Sequence, residues 1–151
     1  MRLVSVQYKM KLEAAMLQVS MKKHKEAADL FESVANEYVT TNLLKYSAKE
    51  HFMSAVMCWM AEGDVTTALK KREAFQMADA QFNGSPQDGF LGNCLDAMVA
   101  SKPDDFATAV SEWESMSKLD PFRVKLLLAA KESIDIGGPD ILGDNEDLDL
   151  T

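Results

Sequence analysis

The side chains able to do chemistry in this 151-residue chain are few and widely spaced. There are two histidines and two cysteines. His51 and Cys58 would share one face of a helix. At 1.5 Å rise per residue, however, their imidazole and thiol stand roughly 10 Å apart along the axis, too far to act as an acid–base pair. Cys58 lies among Val56, Met57 and Trp59, where a thiol reads as core filling. His24 falls in the basic stretch Lys22-Lys23-His24-Lys25. No metal-ligand set, phosphate loop or Gly-x-Ser-x-Gly elbow occurs. The chain therefore does not read as an enzyme, and no metal or cofactor is expected. Two cysteines without metal spacing suggest a reducing, cytosolic setting.

The remaining chemistry is that of surfaces. Leu43, Tyr46 and Lys49 recur at i, i+3, i+6, so a helix there would carry them along one flank, the ammonium outward. A leucine, a tyrosine and a lysine on one ridge suit an apolar, acidic partner helix. The alternative is an edge of the core beside a solvated lysine. Charge is divided along the chain. Residues 1–49 hold eight Lys/Arg and five Asp/Glu, a balance of +3, and residues 50–151 hold eight and nineteen, a balance of −11. An acidic rear argues against a nucleic-acid surface. The dipole permits two partners of opposite sign, or serves solubility alone.

The last fifteen residues, 137–151, differ from the rest, with five acids, no base, three glycines and a proline. This stretch cannot bury enough apolar surface to fold alone. It is expected to be a flexible acidic tail, in which Leu148 and Leu150 stand isolated among carboxylates. That is a docking format, unless the end is simply frayed.

The elements that must position these residues are helical. No run approaches the 18 apolar residues of a membrane span. The start, Met-Arg-Leu-Val-Ser-Val-Gln-Tyr-Lys, breaks its apolar character too soon for a signal peptide. The first helix spans 2–20, with Leu3, Val6, Met10, Ala14, Leu17 and Met21 on one face. The second runs from Lys25 to about Tyr38, with Ala27, Ala28, Phe31, Val34 and Ala35 inward. The third covers about 42–61, capped by Thr41 or Asn42, with Leu44, Ala48, Phe52, Ala55 and Trp59 as its core stripe. Gly63 suits a left-handed stop and Asp64 the N-cap of a fourth helix, to about 81. Ser85, Pro86 and Asp88 form a capping signature for a fifth. It carries Phe90, Leu91, Leu95, Met98 and Val99. Lys102-Pro103-Asp104-Asp105 separates it from a sixth helix, to about 117. Asp120-Pro121 caps a seventh holding Phe122, Val124, Leu126, Leu127, Leu128 and Ile134.

A repeat underlies the pattern. Ala27-x3-Phe31-Glu32-Ser33-Val34 matches Ala109-x3-Trp113-Glu114-Ser115-Met116, 82 residues on, and Ala68-x3-Arg72-Glu73-Ala74-Phe75 lies 41 residues from each. Two helices per period of about 40 read as an all-α, tetratricopeptide-like solenoid of about seven helices over 1–136, followed by the tail 137–151. If such an array is cut between repeats, Leu3, Val6, Met10 and Met16 would be left uncovered.

At this point the residues resemble a family. Leu43-Leu44-Lys45-Tyr46-Ser47-Ala48-Lys49-Glu50 closely resembles the most recognisable segment of the soluble NSF attachment proteins, alpha-SNAP type. His24-Lys25-Glu26-Ala27-Ala28-Asp29-Leu30-Phe31-Glu32 looks like the preceding family helix. Glu112-Trp113-Glu114-Ser115-Met116-Ser117-Lys118-Leu119-Asp120 looks like a later one. The Leu126-Leu127-Leu128 run and the acidic, leucine-bearing terminus follow in order. The resemblance covers nearly the whole chain, against the C-terminal half of the family.

The resemblance implies a cytoplasmic, peripherally membrane-associated adaptor in vesicle membrane fusion. It would bind the four-helix SNARE bundle, then recruit and stimulate the hexameric ATPase NSF for SNARE disassembly. It implies SNARE contacts at Lys9, Leu43, Tyr46 and Lys49, NSF contacts at Asp64 and Asp96, and an NSF-stimulating leucine at Leu148 or Leu150. Of these two, the acid-acid-leucine context favours Leu148. Three positions depart from the family pattern. Glu13 replaces a lysine one turn after Lys9, for which Lys11 could substitute, and Val99 and Ala100 stand where acids follow Asp96. The alternative is a solenoid scaffold that binds peptide tails and has no fusion role.

Overall fold

The computed structural model describes residues 2–136, with side chains from Val6 onward. The tail expected over 137–151 lies outside the described residues. Among these there are seven α-helices and no strand: α1 (Arg2–Ser20), α2 (His24–Val39), α3 (Ala48–Ala61), α4 (Val65–Ala78), α5 (Pro86–Val99), α6 (Pro103–Met116) and α7 (Pro121–Asp135). Lys45–Ser47 forms a short 3₁₀ turn before α3. Successive helices pack on one another, α1 on α2, α2 on α3, α3 on α4, α4 on α5 and α5 on α6.

The period of 41 is a packing period. Ala27, Ala68 and Ala109 fall at matching places on α2, α4 and α6, and all three are buried. A methyl side chain there lets the neighbouring helix approach closely, and a ring follows it: Phe31, Phe75 and Trp113 are all buried. In the middle repeat the ring sits three residues later, because Arg72 turns to the Asp88 carboxylate instead, Nε to Oδ1 2.7 Å.

The centre of the core is α3. Phe52 to Cys58 is one unbroken buried run, so this helix is enclosed on all sides rather than along one stripe. It touches α2, α4, α5 and α7. The contact with α7 departs from a pure nearest-neighbour array, for α7 folds back onto α3 and reaches α1. A buried guanidinium joins the two helices. Arg123 donates through Nε and Nη2 to Ser54 Oγ (3.1 and 3.0 Å) and through Nη2 to the Glu50 carbonyl (3.1 Å).

Several stops are those the sequence marks, although α4 ends at Ala78, short of the expected 81. Gly63 and Gly84 adopt φ +77° and +80°, the left-handed region open to glycine. Asp64 caps α4 by accepting from Thr67 N at 3.1 Å. Ser85 Oγ accepts from Asp88 N at 3.1 Å with Pro86 at the first position of α5. The return bond of that capping box is displaced by one residue, since Asp88 accepts from Gly84 N at 2.9 Å. Asp120 precedes α7, but its carboxylate caps no N–H there and faces Arg123 at 3.5 Å instead.

Three sequence expectations are corrected. The third helix begins at Ala48, not 42, and neither Thr41 nor Asn42 caps it. Thr40 and Thr41 both turn their hydroxyls back to the Glu37 carbonyl (3.0 Å each), closing α2. The amides of Leu44 and Lys45 then both donate to the Thr41 carbonyl at 2.9 Å, which makes a turn. Such local side-chain bonds compete with helix propagation. Secondly, Val124 and Leu128 of α7 are exposed, as is Val99 of α5, while Arg123 takes a buried place. Thirdly, α1 packs through Tyr8, Ala15 and Val19, with Leu12 partly buried. The stripe Val6, Met10, Leu17 and Met21 therefore faces outward, as does Met16.

Candidate partner-binding surface

The segment 41–47 takes its shape from what lies under it. Tyr38 at the end of α2 stands edge-on to Tyr8 of α1 (ring centroids 5.1 Å) and to His51 of α3 (4.7 Å). Ala48 and Phe52 are fully buried and anchor the start of α3. The tip of the turn between these fixed points is open to solvent. Leu43 is accordingly 80% exposed and Tyr46 56%. Two large apolar side chains thus stand open to water on one short turn.

The cations surround that tip. Lys45 Nζ lies 5.3 Å from the Tyr46 ring centroid. Lys49 does not point freely outward as expected; its Nζ donates to the Tyr46 carbonyl at 3.0 Å, bracing the 3₁₀ turn against the first turn of α3. Leu43, Tyr46 and Lys49 thus share a surface, but on a turn and a helix start rather than along one helix ridge. Lys9, exposed on α1, lines a cleft of about 310 Å³ with Tyr8, Leu12, Met16, Tyr38 and Leu44. Lys9 and Leu44 therefore face the same cleft, next to Leu43. Lys11 is engaged elsewhere, with Nζ 3.4 Å from both Ser33 Oγ and Glu37 Oε2 of α2. Glu13 lines the cleft as well.

Asp64 and Asp96 lie on other elements. Thr67 binds the Asp64 carboxylate twice, N–H to Oδ1 3.1 Å and hydroxyl to Oδ2 2.8 Å. The Thr67 backbone bond, then its side-chain bond, lowers the Asp64 pKa, so this residue is a capping anion at the surface. Asp96 is exposed on α5 and lines a polar cleft of about 440 Å³ with Asp105 and Glu112 of α6 and with Lys102. Asp105 and Glu112 escaped the sequence reading. They sit 9 and 16 residues beyond Asp96, a relation that only the α5–α6 packing reveals. Leu148 and Leu150 fall outside the described residues.

The residues with catalytic potential are sequestered. Cys58 and Cys94 are fully buried. Burial raises both thiol pKa values, that of Cys94 to about 12. His51 is held down to about 4, first by burial and then by Arg123, with Glu50 opposing. His24 opens α2 and lies 2.9 Å from Glu62 at the end of α3, tying two loops together. Among the described residues no helix is long and apolar enough to cross a membrane.

These features describe an all-helical repeat protein with large apolar side chains exposed on the 41–47 turn and its two thiols buried. Residues 2–135 match the family described as soluble NSF attachment protein, SNAP. The chain is 31% identical over 122 residues to a Vesicular-fusion protein SEC17 from Coprinopsis cinerea, covering 81% of this chain and 42% of that protein. It is 36% identical over 104 residues to a probable vesicular-fusion protein sec17 homolog from Schizosaccharomyces pombe, covering 69% and 36%. With the alpha-soluble NSF attachment protein of Mus musculus it shares 29% identity over 137 residues, covering 91% and 44%. The chain belongs to the soluble NSF attachment protein family. It spans about two fifths of the length of the curated relatives it matches.

Proposed function

We propose that this chain is a non-enzymatic adaptor in vesicle membrane fusion that engages SNARE complexes and recruits and stimulates the ATPase NSF. The relatives' names, vesicular-fusion protein and NSF attachment protein, give the setting. The observation that carries the reading is the 41–49 surface, where Leu43 and Tyr46 stand in solvent beside Lys45 and Lys49. Apolar tips meet the flank of a helical bundle, while Lys9 and Lys49 meet its acids. Asp96, with Asp105 and Glu112 across the α5–α6 cleft, supplies an acidic surface for a basic face of NSF. The two acids from α6 stand in for those absent at Val99 and Ala100. Asp64 adds a second anionic point, and Leu148 is the stimulating residue in preference to Leu150. Association with membrane is peripheral and through the SNAREs.

The test is retention on immobilised, assembled SNARE complex. Lys9→Glu with Lys49→Glu should lose binding while the helical circular dichroism and melting stay close to those of the unaltered chain. Surface substitutions usually cost within about 0.5 kcal/mol, although Lys49 also braces its turn. Unchanged binding by the folded double variant would remove this face from the mechanism. Capture of short extended peptides by the Lys9–Leu44 cleft, with no retention on the four-helix bundle, would favour a peptide-binding scaffold.

A further inference from the structure

The last helical pair carries a groove that nothing described so far fills. Phe106 and Val110 of α6, Leu119 of the connection, and Val124, Leu127 and Leu128 of α7 enclose about 270 Å³. Phe106 and Leu127 are buried and form its base, while Val124 (36% exposed) and Leu128 (57%) are open to solvent. Its charged lining residues are Glu114 and Lys131. Among the described residues α7 packs on α1, α3 and α6, and no further helix covers this side. The volume corresponds to roughly nine waters' share of liquid, or about two branched aliphatic side chains.

We propose that the chain's own C-terminal segment docks here, seating Ile141 and Leu142 in the α6–α7 groove. Fifteen residues, 137–151, follow the end of the described chain, and α7, whose C-terminal end they continue, is itself one wall of the groove. From Ile136 back to Leu128 is eight residues of helix, roughly 12 Å. Once the direction is reversed, the three residues Asp140 to Leu142 extend roughly 10 Å back along α7, which brings the pair to the Lys131–Leu128 end of the groove. Gly137-Gly138-Pro139 has the turn chemistry for reversing direction after a helix. Ile141-Leu142 is the segment's one adjacent apolar pair, whereas Leu148 and Leu150 alternate with acids. Asp140, just before the pair, would pass Lys131, whose ion pair to Asp135 is a long one of 3.9 Å. Docking would hold Leu148 within a few residues of the α7 surface instead of letting it range over the full length of the tail. This inference does not depend on the SNARE and NSF reading.

The experiment uses the full chain. Cys58 and Cys94 are buried, so a nitroxide can be placed selectively at Asn145→Cys. The expected result is strong broadening of the Val124, Leu127 and Leu128 methyl resonances, independent of protein concentration. That broadening should fall sharply when Ile141→Ser and Leu142→Ser are added, with the other methyl shifts unmoved. Equal broadening with and without the serines would overturn the proposal, since a tethered but undocked tail behaves that way. Broadening that grows with concentration would also overturn it, by assigning the groove to a second copy.

Discussion

Arg123→Met should loosen the joint between α7 and the central helix by an amount the geometry lets one bound. Arg123 makes three close bonds to α3, two to Ser54 Oγ and one to the Glu50 carbonyl, and its Nη1 lies 3.3 Å from Glu50 Oε1. Breaking a fully buried ion pair costs about 3–5 kcal/mol, mostly through the charge left behind. Here the abandoned partners fare better. The Glu50 side chain is 39% exposed and retains a 2.6 Å bond from Gln87, and the Ser54 hydroxyl still donates to the Glu50 carbonyl at 3.2 Å. The expected loss is therefore about 2–3 kcal/mol, below the buried-pair range. For a chain of this size that lowers the melting temperature by about 4–12 °C. Adding Ser54→Ala should cost less than the sum of the single losses, because removing both partners leaves no polar group stranded. An independent readout is His51, whose pKa Arg123 helps to depress; it should rise in Arg123→Met by NMR titration. A melting temperature unchanged by Arg123→Met, with His51 titrating as before, would refute the assignment of this guanidinium as the α3–α7 link.

Three further outcomes are expected. His51 has a folded pKa of about 4, below its ordinary 6.5, so the unfolded chain binds more protons between those values. Stability from this group is full above pH 6.5 and is lost as pH falls toward 4, by about 2 kcal/mol between pH 7 and 5; His51→Gln should flatten that part of the denaturant-midpoint profile, and an unaltered slope would exclude His51 as its source. On α1, Val6→Ser, Met10→Gln and Leu17→Gln together should reduce self-association at high concentration in sedimentation runs, at about 0.5 kcal/mol or less each in stability; a parent chain already monodisperse there would show that the outward stripe is not adhesive. At the tail, Leu148→Ala should lower SNARE-dependent phosphate release by NSF without weakening binding. Loss in Leu150→Ala alone would move the role to that residue, and full release by the double variant would take the tail out of the mechanism.

Much of the fold is legible in the sequence because its determinants are local. Gly63, Gly84 and the prolines at 86, 103 and 121 mark where helices stop and start, and the small residues at 27, 68 and 109 mark where hairpins close up. Periodicity fails where it must name a partner. The α1 pattern shows two apolar faces, Val6-Met10-Leu17 and Tyr8-Ala15-Val19, and only the packing of α2 decides that the second is inward. Nothing local marks Arg123 for burial, since its partner Ser54 lies 69 residues earlier. The acids Asp105 and Glu112 were likewise invisible as neighbours of Asp96 until two helices were laid side by side.

The same failure falls on the segment 41–49, proposed above to meet a partner. Leucine pairs and spacing favour continuing the helix back to 42, and in a helix Leu43 would have lain along a flank, partly shielded by its neighbours. The two threonines end α2 instead, and the turn that follows lifts Leu43 to 80% exposure. Fully burying a leucine side chain is worth about 1.5–3 kcal/mol, and the fold leaves nearly all of that unrealised at position 43. An exposed lysine contact contributes at most about 1 kcal/mol and is weakened by salt. On the proposed reading, Leu43 and Tyr46 would supply the affinity for an apolar partner, while Lys9 and Lys49 would govern approach and register. Lys49 does so from a fixed position, because its bond to the Tyr46 carbonyl ties the charge to the turn that presents the ring. Apolar tip and cation are set by one hydrogen-bonded turn, and a substitution in Thr40 or Thr41 that let α2 run on would displace both without touching either.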